Sequence, residues 1–250
     1  MKMYDIHSHI LYGVDDGAAC IEESIEMVLQ AAKGGIKTMI ATPHYIEGLH
    51  SNNYKDNLDK FNNLIRETDR LGIDMKIYLG NEVLITPELP ELIKSGVVAP
   101  LNNSRYILIE LPFFDIPSYT EKVLFNLEMG GYRAILAHPE RNEHIINDLN
   151  ILYDFIRRGA LVQMNISSIK GAYGKRVYKA ALKMLKCRMV HFVGTDMHSP
   201  EKRQLDISSA IKTLEIHCPD QVNKLLQDNP RRIIINEPII AGELCRIGRT

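Results

Sequence analysis

The sequence predicts an α/β fold in which parallel strands close into a barrel, and three observations carry that prediction. Short runs rich in Ile, Val, Leu and Tyr alternate with longer amphipathic segments along all 250 residues, which implies parallel strands joined by right-handed helical crossovers. Most of the amphipathic segments stop at glycine, the usual residue just past a helix C-terminus. Neither GxGxxG nor GxxxxGK followed by Ser or Thr occurs. The glycine-rich phosphate turn of an open doubly wound sheet is therefore missing, and the barrel is favoured.

The elements follow in order. A first strand is predicted at residues 3–7, then a helix at 22–33 ending at Gly34-Gly35. Strands at 38–42 and 76–80 precede helices at 54–71, ending at Gly72, and 88–94, ending at Gly96. A fourth strand at 106–110 leads to a helix at 118–129 with Gly130-Gly131 behind it, and a fifth at 134–138 leads to one at 149–158 with Gly159 behind it. The sixth strand, 161–165, precedes a helix at 174–186, and the seventh is 190–195. Each strand is β-branched or aromatic in character. With no fixed-period repeat, low-complexity stretch or linker, residues 1–250 are predicted to form one domain.

Composition removes several function classes. Thirty Lys and Arg against 31 Asp and Glu leave a formal charge of −1, which argues against nucleic-acid binding. Apolar runs are only a few residues long, as in Ile233-Ile234-Ile235, whereas a membrane span needs roughly 20. No membrane insertion is expected. The opening Met1-Lys2-Met3-Tyr4-Asp5-Ile6-His7 has no signal-peptide apolar run, so the expected location is the cytoplasm. Cys20, Cys187, Cys218 and Cys245 are scattered without a CxxC, as suits reduced thiols.

In parallel barrels chemistry collects at the C-terminal ends of the strands, and those ends are distinctive here. His7 and His9 close the first, with Asp15-Asp16 in the loop beyond, and His44 follows the second in Ala41-Thr42-Pro43-His44. Glu82 follows the third, Glu110 closes the fourth, His138 closes the fifth, and Asp196 and His198 follow the seventh. Alternate residues of an extended chain face the same way, so His7-x-His9 and Asp196-x-His198 each aim two donors at one volume. Mixed imidazole and carboxylate donors suit Mn²⁺, Fe²⁺, Zn²⁺ or Co²⁺, and nine such ligands would satisfy two or three ions. A lone HxH is often a packing or surface pair, and Asp15 reads equally as a turn or capping residue; recurrence at strand end after strand end is what favours a metal centre. His50, His144, His191 and His217 take a structural reading.

Asp5-Ile6-His7-Ser8-His9-Ile10, Gly13-Val14-Asp15-Asp16-Gly17, Ala41-Thr42-Pro43-His44, His138-Pro139-Glu140-Arg141 and Thr195-Asp196-Met197-His198 together resemble the PHP (polymerase and histidinol phosphatase) superfamily. Within it they look most like the bacterial manganese-dependent protein-tyrosine phosphatases of capsule and exopolysaccharide operons, over nearly the whole chain. The resemblance implies a distorted (β/α)7, TIM-like barrel with three divalent ions, of which Mn²⁺ is the expected metal. By the same resemblance His7, His9, Glu82 and Asp196 would bind the first ion, Glu82, Glu110 and His138 the second, and Asp16, His44 and His198 the third. Arg141 and Arg203 match arginines that bind phosphoryl oxygens; the alternative for Arg203 is a solvated arginine at a helix start. Tyr12 stands where a proline is frequent, which leaves the ligands in place.

The activity so implied is hydrolysis of phosphotyrosine on the tail of a bacterial tyrosine kinase controlling capsule or exopolysaccharide synthesis. The expected mechanism is attack by a metal-bridging hydroxide without a phosphoenzyme. A cysteine nucleophile of the Cys-x5-Arg type is excluded, because Glu26, Val193 and Lys224 stand six residues beyond Cys20, Cys187 and Cys218, and Cys245 has no sixth successor. Two alternatives share the same ligands: a small-molecule phosphatase of histidinol-phosphatase type, and a non-catalytic metal-binding docking module. Loops 45–53 and 112–117 are expected to border the cleft, with Phe113 and Phe114 either stacking on a phosphotyrosine ring or packing under the rim.

Overall fold

The computed structural model describes residues 3–200, 207–240 and 243–246. Its strands are β1 (Met3–Ser8), β2 (Ile36–Ala41), β3 (His44–Tyr45), β4 (Lys76–Leu79), β5 (Glu82–Leu84), β6 (Tyr106–Glu110), β7 (Arg133–Ala137), β8 (Leu161–Asn165) and β9 (Phe192–Gly194). Every pairing between them is parallel, and they fall into two sheets of order β1-β2-β4 and β3-β5-β6-β7-β8-β9. An isolated parallel bridge between Ser8 and Met197 joins the outer ends. There the Asp196 N–H donates to His7 O at 2.8 Å and the His9 N–H to Met197 O at 2.9 Å.

Two expected strands are broken near their ends. The second stops at Ala41 and resumes at His44, and the third stops at Leu79 and resumes at Glu82. Pro43 has no N–H to continue a ladder, and the Asn81 side chain takes over local pairing, accepting from Ala99 N at 3.0 Å and donating to Pro43 O at 3.3 Å. Gly80 permits the break because a Cβ there would lie 2.9 Å from Leu101 Cα. The kink passes both chains from one sheet to the other and leaves His44 and Glu82 paired side by side in register.

Strand alternation builds two apolar regions. Tyr106, Leu108, Ile135, Ala137, Leu161 and Phe192 pack inward with Ile6 and Ile40, and Leu101, Ile233 and Ile239 close this cluster from below. Their odd-and-even neighbours, such as Ile107, Ile109, Leu136, Val162 and Met164, pack outward among the helices. The same two-residue period carries the inner face upward from Tyr106 and Leu108 to Glu110, and from Leu161 to Gln163 and Asn165. The polar site thus sits on a buried apolar floor.

The long helices Ile21–Lys33, Tyr54–Arg70, Thr120–Met129, Leu149–Arg157 and Lys175–Lys186 occupy the predicted places. Ile207–His217 and Asn229–Ile234 add two helices that the glycine punctuation did not mark. The second of these leads into the segment that seals the barrel floor, where Tyr106 Oη donates to Glu237 O at 2.6 Å and Arg133 Nη1 to Ile239 O at 2.6 Å.

Candidate active site

Glu82 lies at the centre of the polar cluster. Its Oε2 is 3.1 Å from His7 Nε2, 3.2 Å from His9 Nε2 and 3.1 Å from His44 Nδ1, while its Oε1 is 3.0 Å from His138 Nε2. Asp196 Oδ1 lies 3.5 Å from His7 Nε2 and 3.4 Å from both His9 Nε2 and His198 Nδ1. Glu110 reaches to 3.7 Å from His138 and 4.0 Å from His44. Asp16, on the exposed rim, puts Oδ1 3.5 Å from His198 Nε2 and 3.7 Å from His44 Nε2. The structure therefore brings together all nine ligand-type residues singled out in the sequence. Three sets offer donor atoms within 4.8 Å of one another: His9, Asp16, His44 and His198; His7, His9 and Glu82; and His44, Glu82 and Glu110. His9 stands in two of them.

Hydrogen bonds behind the cluster decide where the lone pairs point. The Asp196 carboxylate can only accept, so Asn165 Nδ2 donates to its Oδ2 at 2.6 Å. Asn165 Oδ1 then accepts from Gln163 Nε2 at 2.9 Å, and Gln163 Oε1 is left to accept from His7 Nδ1 at 2.8 Å. His9 Nδ1 likewise donates to Asp15 Oδ2 at 2.7 Å. With Nδ1 of each ring so engaged, His7 and His9 face each other through Nε2 at 3.1 Å and both face Glu82, and against burial the carboxylates of Asp15, Asp196 and Glu82 hold His9 well above the usual imidazole range. Two such nitrogens need a proton or a metal cation between them. Glu82 Oε2 and His44 Nδ1 are, in addition, buried without a hydrogen-bond partner. A donor set of this kind fits divalent ions.

The electrostatics of the cluster tell the same story. Burial, reinforced by the charge of Glu82, pushes the Glu110 carboxyl up to about 7. Burial would lower His138, but its bond to Glu82 and the nearby carboxylates hold it up at about 9. Burial and the neighbouring His9 push His198 down to about 4. Against their burial, the surrounding imidazoles hold Glu82 and Asp196 well below the usual carboxylate range, so the cluster mixes ionised carboxylates with protonated Glu110 and cationic His138, protons standing where cations would.

A cavity of about 440 Å³ opens above these residues, walled by Ile46, Leu49 and His50 from the loop after β3 and by Phe113 from the loop after β6. Arg141 projects into it. Its guanidinium lies 4.4 Å from the Phe113 ring centre and 4.5 Å from that of Tyr173, and 3.5 Å from Asp196 Oδ2. A planar cation held between two aromatic faces keeps its donors directed into the cavity. Phe114 is 75% exposed and outside the cavity lining. Arg203 falls outside the described residues.

Several contributors escaped sequence reasoning. Asp15 does hold a turn, accepting from Gly17 N at 2.9 Å, but it also orients His9 and accepts from His44 N at 2.9 Å. Gly17 is needed there, since a Cβ would fall 2.2 Å from His9 O. His50, read as surface, lies with its ring centre 6.1 Å from that of His44. β8 supplies no ligand-type residue but provides Gln163 and Asn165, whose spacing inside an apolar strand was the available signal. His138 and Asp196 both adopt left-handed backbone, φ 31° and 50°, the kind of strain that collects at functional sites.

Residues 3–235 match the family described as capsular polysaccharide synthesis, CpsB/CapC. CapC of Staphylococcus aureus is 35% identical over 95% of this chain and 93% of its own length. The tyrosine-protein phosphatase YwqE of Bacillus subtilis strain 168 is 33% identical with the same coverage. Among solved structures, the work on YwqE from B. subtilis and CpsB from Streptococcus pneumoniae, described as unique metal-dependent tyrosine phosphatases, superposes with a TM-score of 0.94. It covers 99% of this chain and 100% of the other at 32% identity. A histidinol phosphate phosphatase from Lactococcus lactis, solved with zinc, L-histidinol and phosphate, shares the fold at a TM-score of 0.55 and 14% identity.

Proposed function

Because the chain belongs to the CpsB/CapC family of capsular polysaccharide synthesis and is a metal-dependent tyrosine phosphatase, we propose that its nine clustered ligands hold three divalent ions that act on a kinase's phosphotyrosine tail. His7, His9, Glu82 and Asp196 would hold the first, Glu82, Glu110 and His138 the second, and Asp16, His44 and His198 the third. Mn²⁺ is the metal proposed, although Fe²⁺, Zn²⁺ and Co²⁺ accept the same donors. The observation that carries this reading is the convergence of the oriented Nε2 atoms of His7 and His9 on Glu82, at 3.1 and 3.2 Å.

Bound dications supply an activated water nucleophile and neutralise the charge that makes a phosphate monoester dianion resist attack. The protein's own residues do the rest. Gln163 and Asp15 engage Nδ1 of His7 and His9, so Nε2 of each ring is the atom that would bind an ion. Arg141 holds the phosphoryl oxygens by charge-assisted bonds from a clamped guanidinium. Arg203 is proposed to assist it. Phe113, in the cavity wall beneath Arg141, offers an apolar edge to the tyrosyl ring. None of the four cysteines lines the cavity, in keeping with hydrolysis that needs no cysteine nucleophile.

The substrate proposed is the autophosphorylated tail of a bacterial tyrosine kinase governing capsule or exopolysaccharide synthesis. The whole chain, 1–250, is proposed to act as one domain in the cytoplasm; among the described residues no helix is long and apolar enough to cross a membrane. Phosphate release from a phosphotyrosine peptide, a phosphoserine peptide and histidinol phosphate, measured with manganese-loaded protein, tests the assignment. Phosphotyrosine should exceed the other two by at least tenfold in kcat/KM. Preference for histidinol phosphate would shift the reading to a small-molecule phosphatase, and no release from any of them would leave a docking module.

A further inference from the structure

A second cavity, of about 380 Å³, lies beside the first and shares two chain segments with it. From the loop after β6, Phe113 walls the catalytic cavity while Asp115 and Ile116 wall the second. From the turn after β7, Arg141 enters the catalytic cavity and His144 lines the second. These segments are tied together: Asn142 Nδ2 donates to Pro112 O at 2.7 Å and to Asp115 O at 2.9 Å, and Glu143 N donates to Phe113 O at 2.8 Å. The two cavities therefore keep a fixed spacing. Only two or three residues separate their linings along either segment, which an extended chain covers in about 10 Å.

The second cavity has none of the clustered imidazoles of the first. Ile116, Ile151 and Phe155 give it an apolar wall, and Asp115 and Asp154 set carboxylates at its exposed edge, where a chain lying along that wall would end. Neither has an ion-pair partner among the described residues, whereas Glu121 nearby is paired with Arg158. Thr120 also lines the cavity. It is 1% exposed. An apolar trough ending in carboxylates matches a long aliphatic stem with a cationic head.

We propose that this cavity is a specificity pocket for a lysine or arginine side chain of the protein substrate, two to four residues from the phosphotyrosine. The inference rests on the phosphatase reading and adds to it a substrate class: a peptide carrying a basic residue close to its phosphorylated tyrosine. The phosphate is drawn to the cationic cavity and the basic side chain to the anionic one, so the pair of cavities also sets the direction in which the peptide lies across the rim.

The test is a set of phosphotyrosine peptides with lysine at each position from four before to four after the tyrosine, each compared with norleucine there. Assays use the manganese-loaded full chain. Lysine should raise kcat/KM about fivefold at one or two positions, through KM rather than kcat, with the advantage shrinking as salt is raised. In Asp115→Asn/Asp154→Asn the ratio should fall to about one, while Asp154→Glu should keep it. Equal hydrolysis of lysine and norleucine peptides at every position would overturn the pocket, as would a ratio unchanged in the double variant. In both cases hydrolysis of the norleucine peptides leaves the phosphatase reading standing. If no peptide is hydrolysed, that reading fails and the pocket assignment with it.

Discussion

Asp15 touches no other group of the cluster except His9 and the His44 backbone, yet it fixes the proton on His9 Nδ1 at 2.7 Å and positions the backbone of His44. Residues that orient a metal-binding imidazole typically govern affinity by tenfold to a hundredfold. Asp15→Asn should therefore weaken manganese binding to EDTA-stripped protein by about that factor, read by metal titration, while the protein stays folded. Arg141→Lys keeps the charge but loses the planar group held between Phe113 and Tyr173; kcat/KM for a phosphotyrosine peptide should fall about tenfold. The nine ligand-type residues were legible in the sequence because each sits at or near a strand end, where position alone implies direction. Gln163 and Asn165 were not, because an amide's role here depends on Asp196 and His7, 31 and 156 residues away.

At the scale of elements, six of the helices and the order of seven strand paths were readable from periodicity and glycine stops. The breaks at Thr42-Pro43 and Gly80-Asn81 were not, since they depend on how the chain near Leu101 approaches Gly80. The helix Asn229–Ile234 was missed for a similar reason: it is a short plug whose burial is set by the barrel floor. The start of β9 is fastened by His191, whose Nδ1 accepts from Val162 N at 3.2 Å while its carbonyl accepts from Asn229 Nδ2 at 2.9 Å. Burial, with Arg133 and Lys224 nearby, pushes His191 down to about 3 from an ordinary 6.5. The unfolded chain binds a proton at this histidine below pH 6.5 that the folded chain refuses, so its stabilising contribution is complete above that pH and declines below it. The decline is about 1.4 kcal/mol per pH unit. Urea unfolding at pH 7, 6 and 5 should show a shallower pH dependence for His191→Gln than for the parent. Parallel curves would show that His191 is protonated in the fold.

Taken whole, the chain carries a formal charge of −1 with neutral histidines, but four carboxylates are gathered into one polar cluster above an apolar floor. Such a cluster opposes its own folding until cations neutralise it, so metal binding and stability are linked. Saturating manganese at about 100 times its dissociation constant adds about 3 kcal/mol, which for a chain of this length corresponds to roughly 6–10 °C in Tm. Scanning calorimetry with EDTA and with manganese should show that difference, and Glu82→Gln, which removes a ligand from two of the three proposed ions, should shrink it. The same ions would give a nearly neutral protein a locally cationic cavity, next to the carboxylate-edged one proposed to receive a basic side chain.

The most direct measurement is phosphate release from a phosphotyrosine peptide by the parent protein and by His138→Ala, each stripped with EDTA and then resupplied with Mn²⁺. The parent should lose activity on stripping and recover it with manganese, while folded His138→Ala should stay at least a hundredfold slower under both conditions. Hydrolysis that survives EDTA, or a His138→Ala variant as active as the parent, would place the chemistry somewhere other than this cluster.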